Sequence, residues 1–183
     1  MTDSVEIVDH DPRWSSVFEE LRTRISRVLG FHSQRIEHVG STAVPGLAAR
    51  PVIDLDVVIA DERALGPVIG RLRPLGYSHQ GDLGVPGREA FSRPPHRPPP
   101  HHLYVCTESS LALARHLAFR DQLRRSADTA AAYAELKRTL AARHPDDVTA
   151  YVEGKTAFVS QVLDQVADAA RSEYPAPDAP QGA

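Results

Sequence analysis

The segment that most limits how this chain can fold is residues 52–60, Val-Ile-Asp-Leu-Asp-Val-Val-Ile-Ala. Successive side chains of a β-strand point to opposite faces. Ile53, Leu55, Val57 and Ile59 therefore share one strongly apolar face, and Val52, Asp54, Asp56 and Val58 share the other. Acids are depleted inside strands, so two of them on one face call for a reason. Alternate strand positions lie about 6.5–7 Å apart. Two carboxylates at that spacing suit one Mg²⁺, or two ions about 3.5–4 Å apart. Without a cation they would repel, and one would tend to stay protonated. Taken alone, the pair fits a solvated outer strand face with two harmless acids better than a metal site.

The preceding element sharpens the reading. Residues 35–39 read as a short strand, and residues 40–46 as a turn punctuated by Pro45-Gly46. Gly40 lets the backbone approach an anion closely. Freed N–H groups, with the hydroxyls of Ser41 and Thr42, can cradle phosphate oxygens. Neither Gly-Ser nor Asp-x-Asp means much alone. The order strand, Gly-Ser, short connector, strand bearing Asp54 and Asp56 is specific.

Around this unit the chain alternates elements. Asp11-Pro12 opens a helix that carries Trp14, Val17, Phe18, Leu21, Ile25, Val28 and Leu29 on one face and stops at Gly30. A second helix is expected over residues 61–73 and a short strand over 75–79. A hairpin pairs residues 88–92 with 102–106. The Pro-rich stretch between them, residues 94–100, excludes regular helix and central strand. Three helices follow, over residues 109–125, 128–143 and about 145–170. The expected organisation is an α/β core over residues 1–107, helices packed on it over 108–171, and a disordered Pro- and Ala-rich tail over 172–183.

The run His38-Val39-Gly40-Ser41-Thr42-Ala43-Val44-Pro45-Gly46-Leu47-Ala48-Ala49-Arg50-Pro51-Val52-Ile53-Asp54 resembles the signature of the GrpB family, which is placed in the nucleotidyltransferase superfamily. Further matches are Gly84-Val85-Pro86-Gly87-Arg88, His102-Leu103-Tyr104-Val105, Phe119-Arg120-Asp121, Tyr133 with Leu136-Lys137, and Tyr151 with Lys155. The resemblance covers roughly residues 5–166. It implies an α+β fold: a nucleotidyltransferase-like mixed β-sheet core with flanking helices and a C-terminal helical segment. It implies Gly40 and Ser41 at the phosphates, and Asp54 and Asp56 on Mg²⁺ or Mn²⁺. Many GrpB-like sequences keep only the first acid of the pair; this one has both. The activity it implies is metal-dependent transfer of a nucleotidyl group from an NTP to a small acceptor. The alternative is a non-catalytic nucleotide- or phosphate-binding module linked to coenzyme A metabolism, since GrpB-like domains also occur fused to dephospho-CoA kinase.

Nucleotidyltransferases commonly carry a third carboxylate on a later strand. Here His102 stands where that acid is expected, beside Tyr104. An imidazole there can act as a base or a metal ligand near neutral pH, or can simply hydrogen-bond a loop. Glu89 is a weaker substitute. Arg88, after the Val85-Pro86-Gly87 turn, and Lys155, amid Tyr151, Phe158 and Val159, are candidate phosphate holders. Each also suits a structural role. Arg120 and Asp121 read as an internal ion pair. His96, His101 and His102 do not match a zinc spacing, and Ser41 with His38 lacks the surroundings of a hydrolase nucleophile.

Bulk composition narrows the partners. The 183 residues carry a net charge of −3, which argues against a nucleic-acid partner. Cys106 is the sole cysteine, so neither an internal disulfide nor a multi-cysteine metal site is available. No apolar run approaches the roughly 18–20 residues of a membrane span, and residues 1–8 lack a signal pattern. A cytoplasmic location is expected.

Overall fold

A computed structural model describes residues 4–94 and 98–173. The centre is a five-stranded mixed sheet. Its strands are β1 (Arg35–Val39), β2 (Ile53–Ile59), β3 (Ser78–His79), β4 (Glu89–Ser92) and β5 (His101–Thr107), in spatial order β1-β2-β5-β4-β3. The two longest strands, β2 and β5, run parallel at the centre; every other pair is antiparallel. Among the described residues there are six α-helices: α1 (Arg13–Leu29), α2 (Leu65–Leu72), α3 (Leu111–Arg125), α4 (Ala127–Arg143), α5 (Val148–Gly154) and α6 (Thr156–Glu173). The fold is α+β, as expected.

The alternation in residues 52–60 builds the main core. Ile53, Leu55, Val57 and Ile59 pack with Leu103 and Val105 of β5 against α1 and α2, which supply Trp14, Phe18, Leu21, Ile25, Leu29, Val68 and Leu72. Truncating one such side chain to alanine costs about 2–5 kcal/mol. The opposite face of the sheet is not solvated. Helix α3 lies over it, and Val58, Cys106 and Leu113 form a second small core there. The outer-face reading of Asp54 and Asp56 is therefore overturned, and the pair lies between sheet and helices.

The C-terminal helices also close on the Gly-Ser turn. Val44 and Leu47 bury against Leu123 and Tyr133, with Phe119 and Phe158 packed around them. Arg120 reaches across to β1, donating to Glu37 at 2.8 Å and to the His38 carbonyl at 3.1 Å while pairing with Asp121 at 2.7 Å. The ion pair read from the sequence thus extends into the sheet.

Boundaries moved in several places: the second helix begins at Leu65 rather than at residue 61, and the strand expected over 75–79 is only Ser78–His79. The last expected helix is two helices, α5 and α6, which meet at Lys155. A Cβ on Gly154 would stand 2.5 Å from Leu140 Cδ2, so a residue without a side chain lets α4 press against the junction. The start also shifts to Val148, because the Asp147 carboxylate caps the helix by accepting from the Ala150 N–H. Ser172 belongs to α6 rather than to the expected tail; residues 174–183 and 95–97 lie outside the described residues.

Candidate functional site

The turn after β1 puts Gly40 at φ 69°, ψ −169°, a conformation essentially confined to glycine. The missing side chain matters for a second reason. A Cβ here would overlap the Asp54 carboxylate, standing 2.9 Å from its Cγ and closer still to Oδ2. The Gly-Ser turn and the first acid are therefore in direct apposition, as the order of the two motifs implied.

Parallel pairing places His102 opposite Asp54 and Tyr104 opposite Asp56. His102 Nδ1 lies 2.8 Å from Asp54 Oδ1. Because an ionised carboxylate only accepts, the proton is on Nδ1 and the Nε2 lone pair is left as the basic atom. Among the described residues Nε2 has no partner, and half of the side chain is exposed. Asp56 is the deeper acid, with no exposed surface. His116 of α3 donates to its Oδ2 from Nδ1 at 2.7 Å. Its Oδ1 is buried with no hydrogen-bond partner among the described residues. Such an oxygen is costly unless a cation or donor reaches it.

A cleft of about 230 Å³ opens over Asp54, walled by Ser41, Arg50, His102, Tyr104, Lys137, Tyr151 and Lys155. Burial drives the Lys155 amine down to about pKa 8, although Asp54 pulls the other way; its Nζ sits 4.3 Å over the Tyr151 ring. No carboxylate among the described residues pairs with it directly, so it stands as a cation facing the cleft. Lys137 is only 1% exposed. It donates to Ser41 Oγ at 3.1 Å and to the Ala48 carbonyl, and burial lowers its pKa to about 7. It thereby fixes the Ser41 hydroxyl from beneath. Burial, with Asp54 and Asp56 adding to it, raises the Tyr104 phenol to about 12, so it stays protonated.

The remaining sequence candidates fall in distinct places. Thr42 does not present its hydroxyl to the cleft: it is buried, donates to the Val52 carbonyl at 3.4 Å and lies 3.0 Å from His38 Nε2. It braces the turn. Arg88 stacks its guanidinium 4.4 Å over the Tyr104 ring, on the acid-bearing face but outside the lining of the Asp54 cleft. Glu89 pairs with Val105 in register, hence on the core face, where its Oε2 meets His79 Nε2 at 2.6 Å. It is removed from the acid pair. His101 faces the other way from His102: Nδ1 donates to the Pro99 carbonyl at 2.7 Å and Nε2 accepts from the Tyr77 hydroxyl at 2.6 Å. His38 is stacked on Phe18, and burial drives its pKa to about 4. His96 lies outside the described residues.

His116 carried no sequence signal; it lies on a helix read only as packing. Lys137 and Arg50 entered only inside quoted matches, because their approach to Ser41 and Asp54 depends on how the helices close. Among the described residues there is no group of three or more His, Cys, Asp or Glu arranged for a metal. Two carboxylates fit Mg²⁺ of the kind that completes its shell with water and substrate phosphates. The unpartnered Asp56 Oδ1 and the Asp54 oxygen turned to Gly40 fit that donor set. No helix among the described residues is long and apolar enough to cross a membrane.

Comparison with known proteins adds lineage. The family model described as GrpB protein matches residues 4–165. The chain is 34% identical to the UPF0157 protein YqkA of Bacillus subtilis over 155 residues, 85% of this chain but 45% of YqkA. It is 37% identical to the UPF0157 protein PA4798 of Pseudomonas aeruginosa, over 92% of this chain and 70% of that one. It thus spans less than half of YqkA's length and somewhat over two thirds of PA4798's. The crystal structure of the conserved protein GrpB from Enterococcus faecalis superposes with a TM-score of 0.82 at 30% identity, covering 90% of this chain and 99% of that one.

Proposed function

The chain belongs to the GrpB family, and from that premise we propose that it is a nucleotidyltransferase that moves a nucleotidyl group from an NTP to a small acceptor. The observation that carries this reading is the apposition of Gly40 to Asp54 with His102 on the carboxylate's other oxygen. Asp54 and Asp56 would hold Mg²⁺ or Mn²⁺, which when bound neutralises the phosphates of the nucleotide.

The chain's own residues then divide the work. The Gly40-Ser41 backbone and the Ser41 hydroxyl, the latter held by Lys137, bind phosphate oxygens. Lys155 supplies charge from the helical side of the cleft. Arg88 lends positive charge from beyond Tyr104. His102 Nε2 takes the proton of the acceptor hydroxyl, and Asp54 holds the imidazole in the tautomer that can do so. The acceptor oxygen forms a bond to the α-phosphorus, the bond from that phosphorus to the β-phosphate oxygen breaks, and pyrophosphate leaves with the electron pair. The His116 hydrogen bond fixes one oxygen of the second acid, Asp56, and leaves its Oδ1 for the cation.

Incubating the protein with α-labelled NTPs, Mn²⁺ and a panel of hydroxyl-bearing metabolites tests this by the appearance of labelled product with pyrophosphate. His102→Gln is expected to lower turnover by 10²–10⁴-fold, the usual contribution of a positioned base, with nucleotide binding retained. A second reading rests on the imidazole that stands in place of a third acid: a nucleotide-binding module without turnover. It predicts nucleotide binding with no pyrophosphate from any acceptor.

A further inference from the structure

Ser41 has a base beside it, and that base is not His38, whose Nε2 is engaged with Thr42 Oγ1 at 3.0 Å. The neighbour of Ser41 Oγ is Lys137 Nζ, at 3.1 Å. Two further contacts hold this amine: the Ala48 carbonyl accepts from it, and the centre of the Tyr133 ring lies 4.7 Å away. Lys137 is buried. Burial, with the charges of Lys155 and Arg138 adding to it, brings its pKa to about 7, so much of the protein carries a neutral amine near neutral pH. In that form two N–H groups serve the Ala48 carbonyl and the Tyr133 face, and the lone pair turns to the Ser41 hydroxyl. An amine kept only to hold a hydroxyl gains nothing from so dry a place, since burial disfavours its charge. Ser41 itself is half-buried and lines the Asp54 cleft. Its hydroxyl stands between Lys137 beneath and any ligand above.

We infer that Ser41 and Lys137 form a nucleophile–base pair, and that without an acceptor Ser41 takes the nucleotidyl group of an NTP onto itself. The pair stands on its own geometry; the nucleotidyl group as its cargo rests on the transferase reading. An activated serine needs a base within hydrogen-bond reach and a third group that orients the base. Lys137 is that base, and the Ala48 carbonyl orients it. In the transfer, the Ser41 hydroxyl proton passes to the neutral Lys137 amine and Oγ forms a bond to the α-phosphorus. The bond from that phosphorus to the β-phosphate oxygen breaks, and pyrophosphate leaves with the electron pair. The product is a phosphodiester between Ser41 and the nucleoside. Standing in the cleft that Ser41 lines, it closes the Gly-Ser turn to a second nucleotide. Self-modification and transfer to an acceptor thus compete for one bound NTP, with Lys137 serving the first and His102 the second.

The test has two arms, both on the full chain. The first treats the protein with a fluorophosphonate, which a nucleophilic serine attacks at phosphorus with loss of fluoride, and maps the adduct by peptide mass spectrometry. The adduct is expected at Ser41, formed about 10²-fold or more slowly in Lys137→Met and in Lys137→Arg, which keeps the charge but cannot take the proton. An adduct on other serines alone, which the wild type by itself reveals, would overturn the pair, as would a loss of rate under about tenfold in the folded variants. The second arm incubates wild type and Ser41→Ala with Mn²⁺ and either α- or γ-labelled ATP, without acceptor. The α-label is expected on Ser41 of the wild type, with pyrophosphate released, and absent from Ser41→Ala. A γ-label on the protein, an acid-labile α-label on a histidine, or no α-label at all would overturn the self-transfer. If ATP fails to bind by calorimetry, the transferase reading falls with the self-transfer, and the nucleophile–base pair is judged by the first arm alone.

Discussion

Three single residues shape the cleft around the Asp54–His102 pair, and each acts through what it lacks or lends. Gly40 acts by absence. Gly40→Ala adds backbone strain of about 1–3 kcal/mol and drives a methyl into the Asp54 carboxylate. Nucleotide affinity by calorimetry should fall more than tenfold, with the melting temperature lowered by roughly 2–12 °C. Lys155 acts by charge. With its pKa near 8, the amine is protonated below that value and neutral above it. A polyanion prefers the protonated form, so nucleotide affinity should drop on the order of tenfold between pH 7 and pH 9. Lys155→Met should bind more weakly and lose that slope. Lys137 shows the opposite linkage in the ligand-free protein. Its folded pKa of about 7 lies below the ordinary lysine value of 10.5, so between those values the unfolded chain holds the extra proton. Stability from this group rises with pH across that window, and its full cost is felt below it. Urea unfolding at pH 6.5 and 9.5 should show the rise in the wild type and a flatter response in Lys137→Met.

Among the elements, the strands, α1, α3 and α4 were legible, and the way the helices close on the sheet was not. Residues 53–59 form a strand because aliphatic side chains at alternate positions meet α1 and α2, with Ile36 of β1 joining the same core, and that period is written locally in the chain. The apposition of Gly40 and Asp54 followed from motif order alone. The cover over the second face was hidden because α3 is only weakly amphipathic by sequence: His116 and Arg120 point inward to Asp56 and Glu37, where polar side chains normally face water. The division of α5 from α6 escaped notice because Tyr151, Phe158 and Val159 continue one helical period across Gly154, and only the position of Leu140 shows why the chain breaks there. Helix α3 therefore holds the site by one polar bond as much as by packing. His116→Ala leaves the buried Asp56 carboxylate without its donor and should cost about 1–3 kcal/mol. Chemical denaturation checks this, and a variant as stable as the wild type would mean that the His116 hydrogen bond does not hold Asp56 in the folded state.

At the scale of the whole molecule, the sheet supplies acids and a base while the helices supply cations. Asp54, Asp56 and His102 come from β2 and β5; Lys137 comes from α4 and Lys155 from the junction of α5 and α6. The cleft exists only because the two layers close on each other through Val44, Leu47, Leu123 and Tyr133. Ligand binding should then stabilise the entire fold rather than one lobe. The most direct measurement is the thermal shift of wild type and Asp54→Asn with ATP, with and without Mg²⁺. A ligand at about 100 times its dissociation constant adds about 2.7 kcal/mol, which for a chain of this size raises the melting temperature by roughly 5–10 °C. A metal-bound nucleotide at Asp54 predicts that rise in the wild type only when Mg²⁺ and ATP are both present, and none in Asp54→Asn. An equal rise in Asp54→Asn, or one independent of Mg²⁺, would contradict it.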